Sequence, residues 1–179
     1  DLELETIGFT QQNVQDYLNK TLTRDPIIKR EIEEFIHTNP IAIGLVNIPL
    51  QLDILCYSWT LLKRYLKENQ SITMTSLYQA LVDKLWLKYI NRPETKQRLE
   101  KDSRFKEWLK SLDDLESFQI MEMVKHENEY LQYLAYRGMQ KDTIIFDFQF
   151  LKETISSYQE GLKANIHLLK EAKQTGFIT

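Results

Sequence analysis

The feature that most limits how this chain can fold is a long apolar segment that begins at Pro49. A proline suits the first position of a helix, because its φ angle is already helical and its missing N–H has no partner there. From this proline, two sets of apolar residues recur side by side at helical spacing. The sets are Leu52, Leu55, Trp59, Leu62 and Leu66, and Leu50, Ile54, Tyr57, Leu61 and Tyr65. Because a helix with two apolar faces needs neighbours on both, we expect a central helix.

Composition limits the class of protein. The 179 residues suffice for one ordinary domain or two small ones, and 42% of them are hydrophobic, which can supply a core. The 23 basic and 26 acidic residues give a net charge of −3 without a basic block, so we do not expect a nucleic-acid binder. Because the sequence contains only one cysteine, Cys56, an internal disulfide is excluded, and this cysteine lies in the apolar helix. It predicts a buried thiol in a reducing compartment.

The beginning of the sequence does not resemble a targeting segment. Residues 1–5 lack a positive region followed by an apolar core, and no stretch approaches the ~20 apolar residues of a membrane span. We therefore expect a cytoplasmic protein that does not bind membranes. Leu2 and Leu4 alternate with acidic residues, which predicts the end of a strand. Since no methionine starts the chain, we expect a segment of a larger protein.

Further helices are predicted around the central one. Thr10 is a suitable N-cap for a first helix, and Pro26 suits the start of a second. A short apolar piece, residues 40–46, follows this second helix. Ser76 and Gln79 have the spacing of a capping box, which predicts the start of another strongly apolar helix there.

We expect three parts in the chain. Residues 1–92 form a helical domain, and residues 93–117 form a charged connector. Residues 118–179 form a winged-helix-like domain truncated at its wing. The fold class predicted is therefore mainly α, with a helical-bundle subdomain followed by a winged-helix-like subdomain that contains one or two very short strands.

The winged-helix expectation depends on the order of elements in the last part. One long helix is predicted from Ile120 through Val124 to Ala135, and it is expected to end near Gly138, because glycine often follows the last turn. A short extended run at residues 144–146 comes next, and Asp147 then caps another helix. A last helix stops at Gly176 and leads into what resembles a second strand.

No complete active site is visible in the sequence. The glycines, at positions 8, 44, 138, 161 and 176, exclude both the phosphate-binding loop and the dinucleotide-binding turn. His37, His126 and His167 are scattered, so a metal site is not expected and each is interpreted as structural. No serine lies in a nucleophile turn. We expect no catalytic residue in this chain.

Two pairs of neighbouring carboxylates were considered for acid–base chemistry. They are Asp113 with Asp114, and Glu127 with Glu129. Adjacent helical residues point apart, whereas acid–base catalysis needs groups that converge on one substrate. We therefore interpret both pairs as solvated faces.

Three runs of sequence, taken in order, resemble the C-terminal half of the nucleotide-binding module of NACHT-type STAND P-loop ATPases. The first, Ile7-Gly8-Phe9-Thr10 followed by Tyr17-Leu18, resembles the segment after the family's last core strand. The second, Asn47-Ile48-Pro49-Leu50, is similar to the family's G-x-P-L element, with asparagine where many members have glycine. Residues 130–136 together with residues 176–178 resemble its winged-helix domain. The family transduces signals and includes animal innate-immune receptors and bacterial defence proteins.

The resemblance implies a nucleotide site of which this chain carries one side. Pro49, with Ile48 and Asn47, would lie beside the adenine, and the helical domain would cover the nucleotide as a lid. The residues for phosphate, magnesium and water would precede Asp1. The cofactor implied is therefore ATP or ADP in the full-length protein, and none for these 179 residues alone.

The function implied is regulatory. The lid and winged helix would couple the ATP or ADP state to conformational switching and assembly, in a cytoplasmic protein that is itself a P-loop NTPase. Expected partners are the N-terminal core, the protein's own sensor and effector domains, and further copies of the protein on activation.

Two alternatives remain open. One is a helical protein–protein interaction module with no nucleotide role, in which exposed aromatic residues such as Trp108 and Phe105 anchor a partner. The other is a helical enzyme whose site the sequence does not show.

Overall fold

The computed structural model of the protein describes residues 8–69, 72–143 and 145–162. These residues form ten α-helices and one 3-10 turn, with no strand among them. The mainly α class is thus confirmed. The strand expected near Leu2, the last helix and the second strand expected over residues 162–178, and His167 lie outside the described residues, apart from Leu162 at the end of a helix.

The helices follow one another with short connections. In chain order they are α1 Gln11–Thr21, α2 Pro26–Thr38, α3 Pro40–Val46, α4 Pro49–Asn69, α5 Met74–Ile90, α6 Pro93–Leu99, α7 Ser103–Trp108, α8 Ser117–Met123, α9 Lys125–Gln140 and α10 Phe148–Leu162, with the 3-10 turn at Leu112–Asp114. Within the described residues, none of the helices combines the length and the apolar character that a membrane-spanning helix needs.

The chain divides into two compact units, Asp1–Lys84 and Leu85–Thr179. The division falls inside α5, eight residues before the boundary expected at Arg92. The expected connector, residues 93–117, is itself largely helical, since it contains α6, α7 and the 3-10 turn. The three-part organisation drawn from composition stays a prediction.

The first unit has α4 at its centre. Leu52, Leu55 and Leu62 on one face are at most 2% exposed, and Ile54 and Leu61 on the other are at most 5% exposed. Helices α1, α2 and α3 all contact α4. The prediction of a central helix with two apolar faces is confirmed. The second face is covered only in part, because Leu50 remains 63% exposed and Tyr57 remains 41% exposed.

Local capping explains where the first helices begin. Thr10 caps α1 through a capping box with Asn13, and α2 begins at Pro26, as predicted. The short apolar piece after α2 is a helix, α3, whose first turn begins at Pro40. The Asn39 side-chain oxygen accepts hydrogen bonds from the Ile41 and Ala42 N–H groups, at 3.1 and 3.4 Å. Asn39 therefore caps a helix that the sequence did not predict.

The capping box of α5 lies earlier than predicted. The Ser76 N–H donates to the Thr73 hydroxyl at 3.0 Å, and the Thr73 N–H donates to the Ser76 hydroxyl at 2.9 Å. Thr73 is thus the cap, and Ser76 is its partner in the first turn. Gln79 has another role, since its amide donates to the buried carboxylate of Asp83 at 2.9 Å.

In the second unit, the expected long helix is two helices, so that prediction was wrong. Val124 separates α8 from α9 with a non-helical backbone, at φ −113° and ψ 20°, and its side chain is fully buried. Gly138 does not end α9, which continues to Gln140. A Cβ on Gly138 would lie 2.7 Å from the Phe146 ring, so the glycine makes room for packing.

The end of the described chain is a pair of packed helices. Tyr130 and Leu134 of α9 form a core with Phe150, Leu151 and Tyr158 of α10. The Phe150 N–H donates to the Asp147 carboxylate at 2.7 Å, which confirms Asp147 as the cap of α10. Residue 144 of the expected extended run lies outside the described residues, and residues 145–146 form no strand. The winged-helix-like arrangement stays a prediction.

Candidate functional site

The three residues predicted to hold adenine lie where α3 ends and α4 begins. The two helices meet there at a bend of 115°. Asn47 is half-buried in the helical conformation that ends α3, at φ −68° and ψ −17°. Ile48 is 48% exposed, and Pro49 is exposed at the first position of α4. We call residues 47–49, with the Gly8-Phe9 segment that contacts them, the Asn47 corner.

The structure brings two distant runs of sequence together at the Asn47 corner. The Phe9 N–H donates a hydrogen bond to the Asn47 carbonyl oxygen at 2.6 Å. A Cβ built on Gly8 would lie 2.3 Å from the same oxygen, which is closer than side-chain carbons approach. Gly8 is therefore the glycine that allows two backbones to approach here. Apart from the resemblance of each run to the family, no pattern in the sequence predicted this contact.

Large aliphatic side chains are exposed around the Asn47 corner. In residues 41–50, Ile41 is 57% exposed, Ile43 41%, Ile48 48% and Leu50 63%. Single exposed apolar residues are common, whereas several in one short stretch are typical of a surface that another molecule or domain covers.

A small pocket opens beside the corner within the first unit. It has a volume of about 270 Å³ and lies among α1, α2 and α3. Its polar lining residues are Gln11, Gln12, Gln15, Glu33, His37 and Asn47. Its apolar lining residues are Val14, Leu18, Ile36, Ile43 and Val46. Because amides both donate and accept hydrogen bonds, such a pocket suits a small, flat polar group.

Two titratable groups lie near α4, and neither is a nucleophile at neutral pH. Burial, with a contribution from the Asp53 charge, raises the pKa of the Cys56 thiol to about 12. Burial and a hydrogen bond to Asp53 likewise raise the pKa of Tyr17 to about 12. Because only a thiolate attacks electrophiles, the protonated Cys56 is inert. The expectation of a buried thiol is confirmed.

The histidines and carboxylates of the described residues do not gather into a metal-binding group of three or more. His37 lies exposed at the end of α2, where it lines the pocket beside the corner. His126 is exposed in the first turn of α9, in the polar setting expected.

One carboxylate was misread from the sequence. Glu127 was expected on a solvated face but is only 2% exposed. The Tyr89 hydroxyl donates to it at 3.0 Å, and the Arg98 guanidinium forms a salt bridge with it. A carboxylate can be buried when a cation and a hydrogen bond compensate its lost hydration. Its helical spacing with the buried residues Tyr130 and Leu134 was the available signal.

Comparison with known proteins gives one partial match. A family described only as a domain of unknown function, DUF7068, matches residues 29–72. This range contains α3, α4 and the predicted adenine-contacting residues at their junction. No curated protein and no solved structure matches the chain.

Proposed function

We propose that this chain is the regulatory part of a NACHT-type nucleotide-binding signalling ATPase, in which it contributes the lid and couples the ATP or ADP state to conformational switching. The observation that carries the proposal is the contact between Gly8-Phe9 and Asn47. These two runs resemble separate elements of the family, and they are nearly forty residues apart in the sequence. A chance resemblance would give no reason for them to meet.

The exposed surface supports the lid role. Ile48, Pro49 and Leu50 form an apolar rim at the start of α4, and such a rim suits one face of an adenine ring.

Asparagine in place of the family's usual glycine is compatible with this role. In the Asn47 corner the close backbone approach is made at Gly8, so residue 47 need not be glycine. The half-buried Asn47 side chain also lines the neighbouring pocket, where its amide can donate to a ring nitrogen or accept from an amino group.

The mechanism is a change of population between two states. A nucleotide held between a P-loop core and the Asn47 corner favours the closed arrangement, and exchange of the nucleotide releases it. The nucleotide shifts this equilibrium only by its difference in affinity for the two arrangements. Pro49 and Ile48 would make apolar contacts with the nucleotide only in the closed arrangement. These contacts would supply part of the difference in nucleotide affinity between the two arrangements.

The test is the ADP affinity of the parent protein with Pro49→Asp, measured by isothermal titration calorimetry. We expect a loss of about tenfold or more, because a charge replaces an apolar contact beside the base. Pro26→Asp is the matched control, since Pro26 is another exposed proline at the first position of a helix. Unchanged affinity for Pro49→Asp, or an equal loss for Pro26→Asp, would contradict the proposal.

A second candidate function is a helical interaction module without a nucleotide role. It is favoured by an aromatic group in the second unit, where Phe118 is 68% exposed and its ring lies 6.5 Å from that of Trp108. Phe105 lies 5.6 Å from Trp108, so the three rings form one surface group. Under this alternative, ADP affinity is absent or independent of Pro49, and Phe118→Ser in the parent protein weakens its binding to the partner.

A further inference from the structure

A second cavity lies entirely within the second unit, away from the Asn47 corner. It has a volume of about 770 Å³ and lies between the α6–α7 region and the α8–α9 junction. This volume is in the range of small-ligand sites, which span about 300 to 1,000 Å³. Its cationic lining residues are Arg98, Lys101, Arg104 and Lys125, and its carboxylates are Asp102, Glu122 and Glu127. We call this cavity the basic cleft.

Arg98 is held in place at the basic cleft. Its guanidinium bonds the buried Glu127 carboxylate, and it also donates to the Tyr89 hydroxyl at 3.4 Å. The Arg98 side chain nevertheless remains 39% exposed. An arginine whose orientation is fixed by a buried carboxylate loses less conformational entropy when it binds an anion, because part of its planar fork is already positioned.

The carboxylates of the cleft are already paired. Arg104 contacts Asp102 at 2.9 Å and Glu122 at 3.8 Å, while Glu127 is paired with Arg98. Lys101 and Lys125 are exposed and form no ion pair with any described residue. Two lysines without acidic partners therefore face one cavity in a chain whose net charge is −3. Their positive charge is available to a ligand.

The aromatic lining does not favour a nucleobase. Phe105 is the aromatic ring of the cleft, apart from the imidazole of His126. The Arg104 guanidinium lies over the Phe105 ring at 5.1 Å, and the Trp108 ring centroid lies 5.6 Å from that of Phe105. A ring that already stacks with a cation and packs against an indole offers little face to a base.

We propose that the basic cleft binds a small ligand with two or more phosphate groups and no stacking base. Lys101 and Lys125 contact its phosphate groups, and the Arg98 guanidinium, fixed by Glu127, adds positive charge beside them. Because neither lysine has an acidic partner in the described part of the chain, a singly charged anion would compensate only one of the two, and a multiply charged ligand is favoured. The site is independent of the proposed function, because none of its residues belongs to the Asn47 corner.

The test is calorimetric titration of the 179-residue chain with inorganic pyrophosphate, inositol hexakisphosphate and inorganic phosphate. We expect either of the first two to bind at least about tenfold more tightly than phosphate. The tighter one identifies whether the source is an oligophosphate chain or a phosphorylated polyol. Equal binding of all three ligands, or no binding, would overturn the proposal.

Charge reversal locates the binding site. Lys101→Glu and Lys125→Glu are each expected to weaken binding by about tenfold or more, because each removes a charge-assisted contact. Lys152→Glu is the matched control, since Lys152 is exposed in α10 and does not line the cleft. All three positions are on the surface, so the variants should fold. An equal loss in Lys152→Glu would show a general charge effect and would overturn the site.

Titration with ADP distinguishes this site from the proposed nucleotide site. ADP is expected to bind the basic cleft no more tightly than pyrophosphate does, and Lys101→Glu should weaken that binding while Pro49→Asp should not. If ADP binds more tightly than pyrophosphate, and Lys101→Glu weakens this ADP binding, then the cleft contacts the base and the proposal of a ligand without a stacking base is contradicted. The Pro49 experiment on the parent protein is therefore done in a Lys101→Glu background, so that ADP binding at the basic cleft does not contribute to the measured affinity.

Discussion

At the scale of single residues, two glycines of the first unit have opposite roles. Gly8 lies against the Asn47 carbonyl, where a Cβ would be 2.3 Å from the oxygen, whereas a Cβ on Gly44 would meet nothing within 4 Å. Gly44 also lies within α3, where glycine is a weak helix former. The contact at the Asn47 corner thus requires glycine at position 8, while position 44 tolerates larger residues.

Alanine at each glycine should therefore change stability in opposite directions. We expect Gly8→Ala to lower the free energy of unfolding by about 1 to 3 kcal/mol, because the added carbon forces the backbones apart. Gly44→Ala is the matched control, and it should raise the free energy by up to about 1 kcal/mol. Urea unfolding of both variants measures the difference. If Gly8→Ala left the free energy of unfolding unchanged, Gly8 and Asn47 would not be in close contact.

The buried thiol gives a second prediction at this scale. Burial and the Asp53 charge raise the pKa of Cys56 from 9.0 to about 12 in the folded protein. The stability that comes from keeping this thiol neutral is fully present below about pH 9 and is lost as pH rises towards about 12. Native protein should also react with a thiol-specific disulfide reagent only after unfolding, because the thiolate is the nucleophile.

The measurement has two parts. In the first part, the reaction of Cys56 with the disulfide reagent is followed with and without denaturant near neutral pH. In the second part, the free energy of unfolding is measured at increasing alkaline pH. Cys56→Ala should weaken the alkaline decline, although Tyr17 and Tyr130, whose pKa values are also raised to about 12, should preserve part of it. Rapid reaction of native Cys56 would show that the thiol is accessible.

At the scale of elements, α3 determines where the Asn47 corner lies. This helix has only seven residues, and its start is fixed by the Asn39 cap and by Pro40 at the first position. Short helices have little cooperativity of their own, so the capping contribution is large relative to their stability. The α2–α3 and α3–α4 contacts then hold the helix in the first unit.

Removing the cap should destabilise this unit. We expect Asn39→Ala to lower the free energy of unfolding by about 1 kcal/mol, since two N–H groups lose their side-chain acceptor. Asn39→Asp is the matched control, because a carboxylate keeps the acceptor and suits a helix N-terminus. Urea unfolding of the two variants compares them. Equal losses in Asn39→Ala and Asn39→Asp would contradict the capping role.

Local sequence patterns predicted where helices begin better than they predicted where helices are interrupted. The caps Thr10 and Asp147 and the start at Pro26 depend on residues within one turn, and all three are confirmed. The break at Val124 was missed, because the apolar spacing continues through it. The residue at this break, Val124, is fully buried, and the spacing of apolar residues within one segment does not record where a tertiary fold interrupts a helix.

At the scale of the whole molecule, the chain forms two compact units with different candidate sites. The Asn47 corner belongs to the first unit and the basic cleft to the second. The partial family match covers only the first of these sites. The net charge of −3, without a basic block in the sequence, is the reason that nucleic-acid binding is not expected.

The sequence by itself determined the mainly α class, the central helix from Pro49, several helix starts and the burial of Cys56. These follow from spacing and capping, which act between residues close in the chain. Only the tertiary structure decided that Gly8-Phe9 meets Asn47 and that Glu127 is buried with Arg98. Both depend on partners from distant elements, so no local pattern contains them.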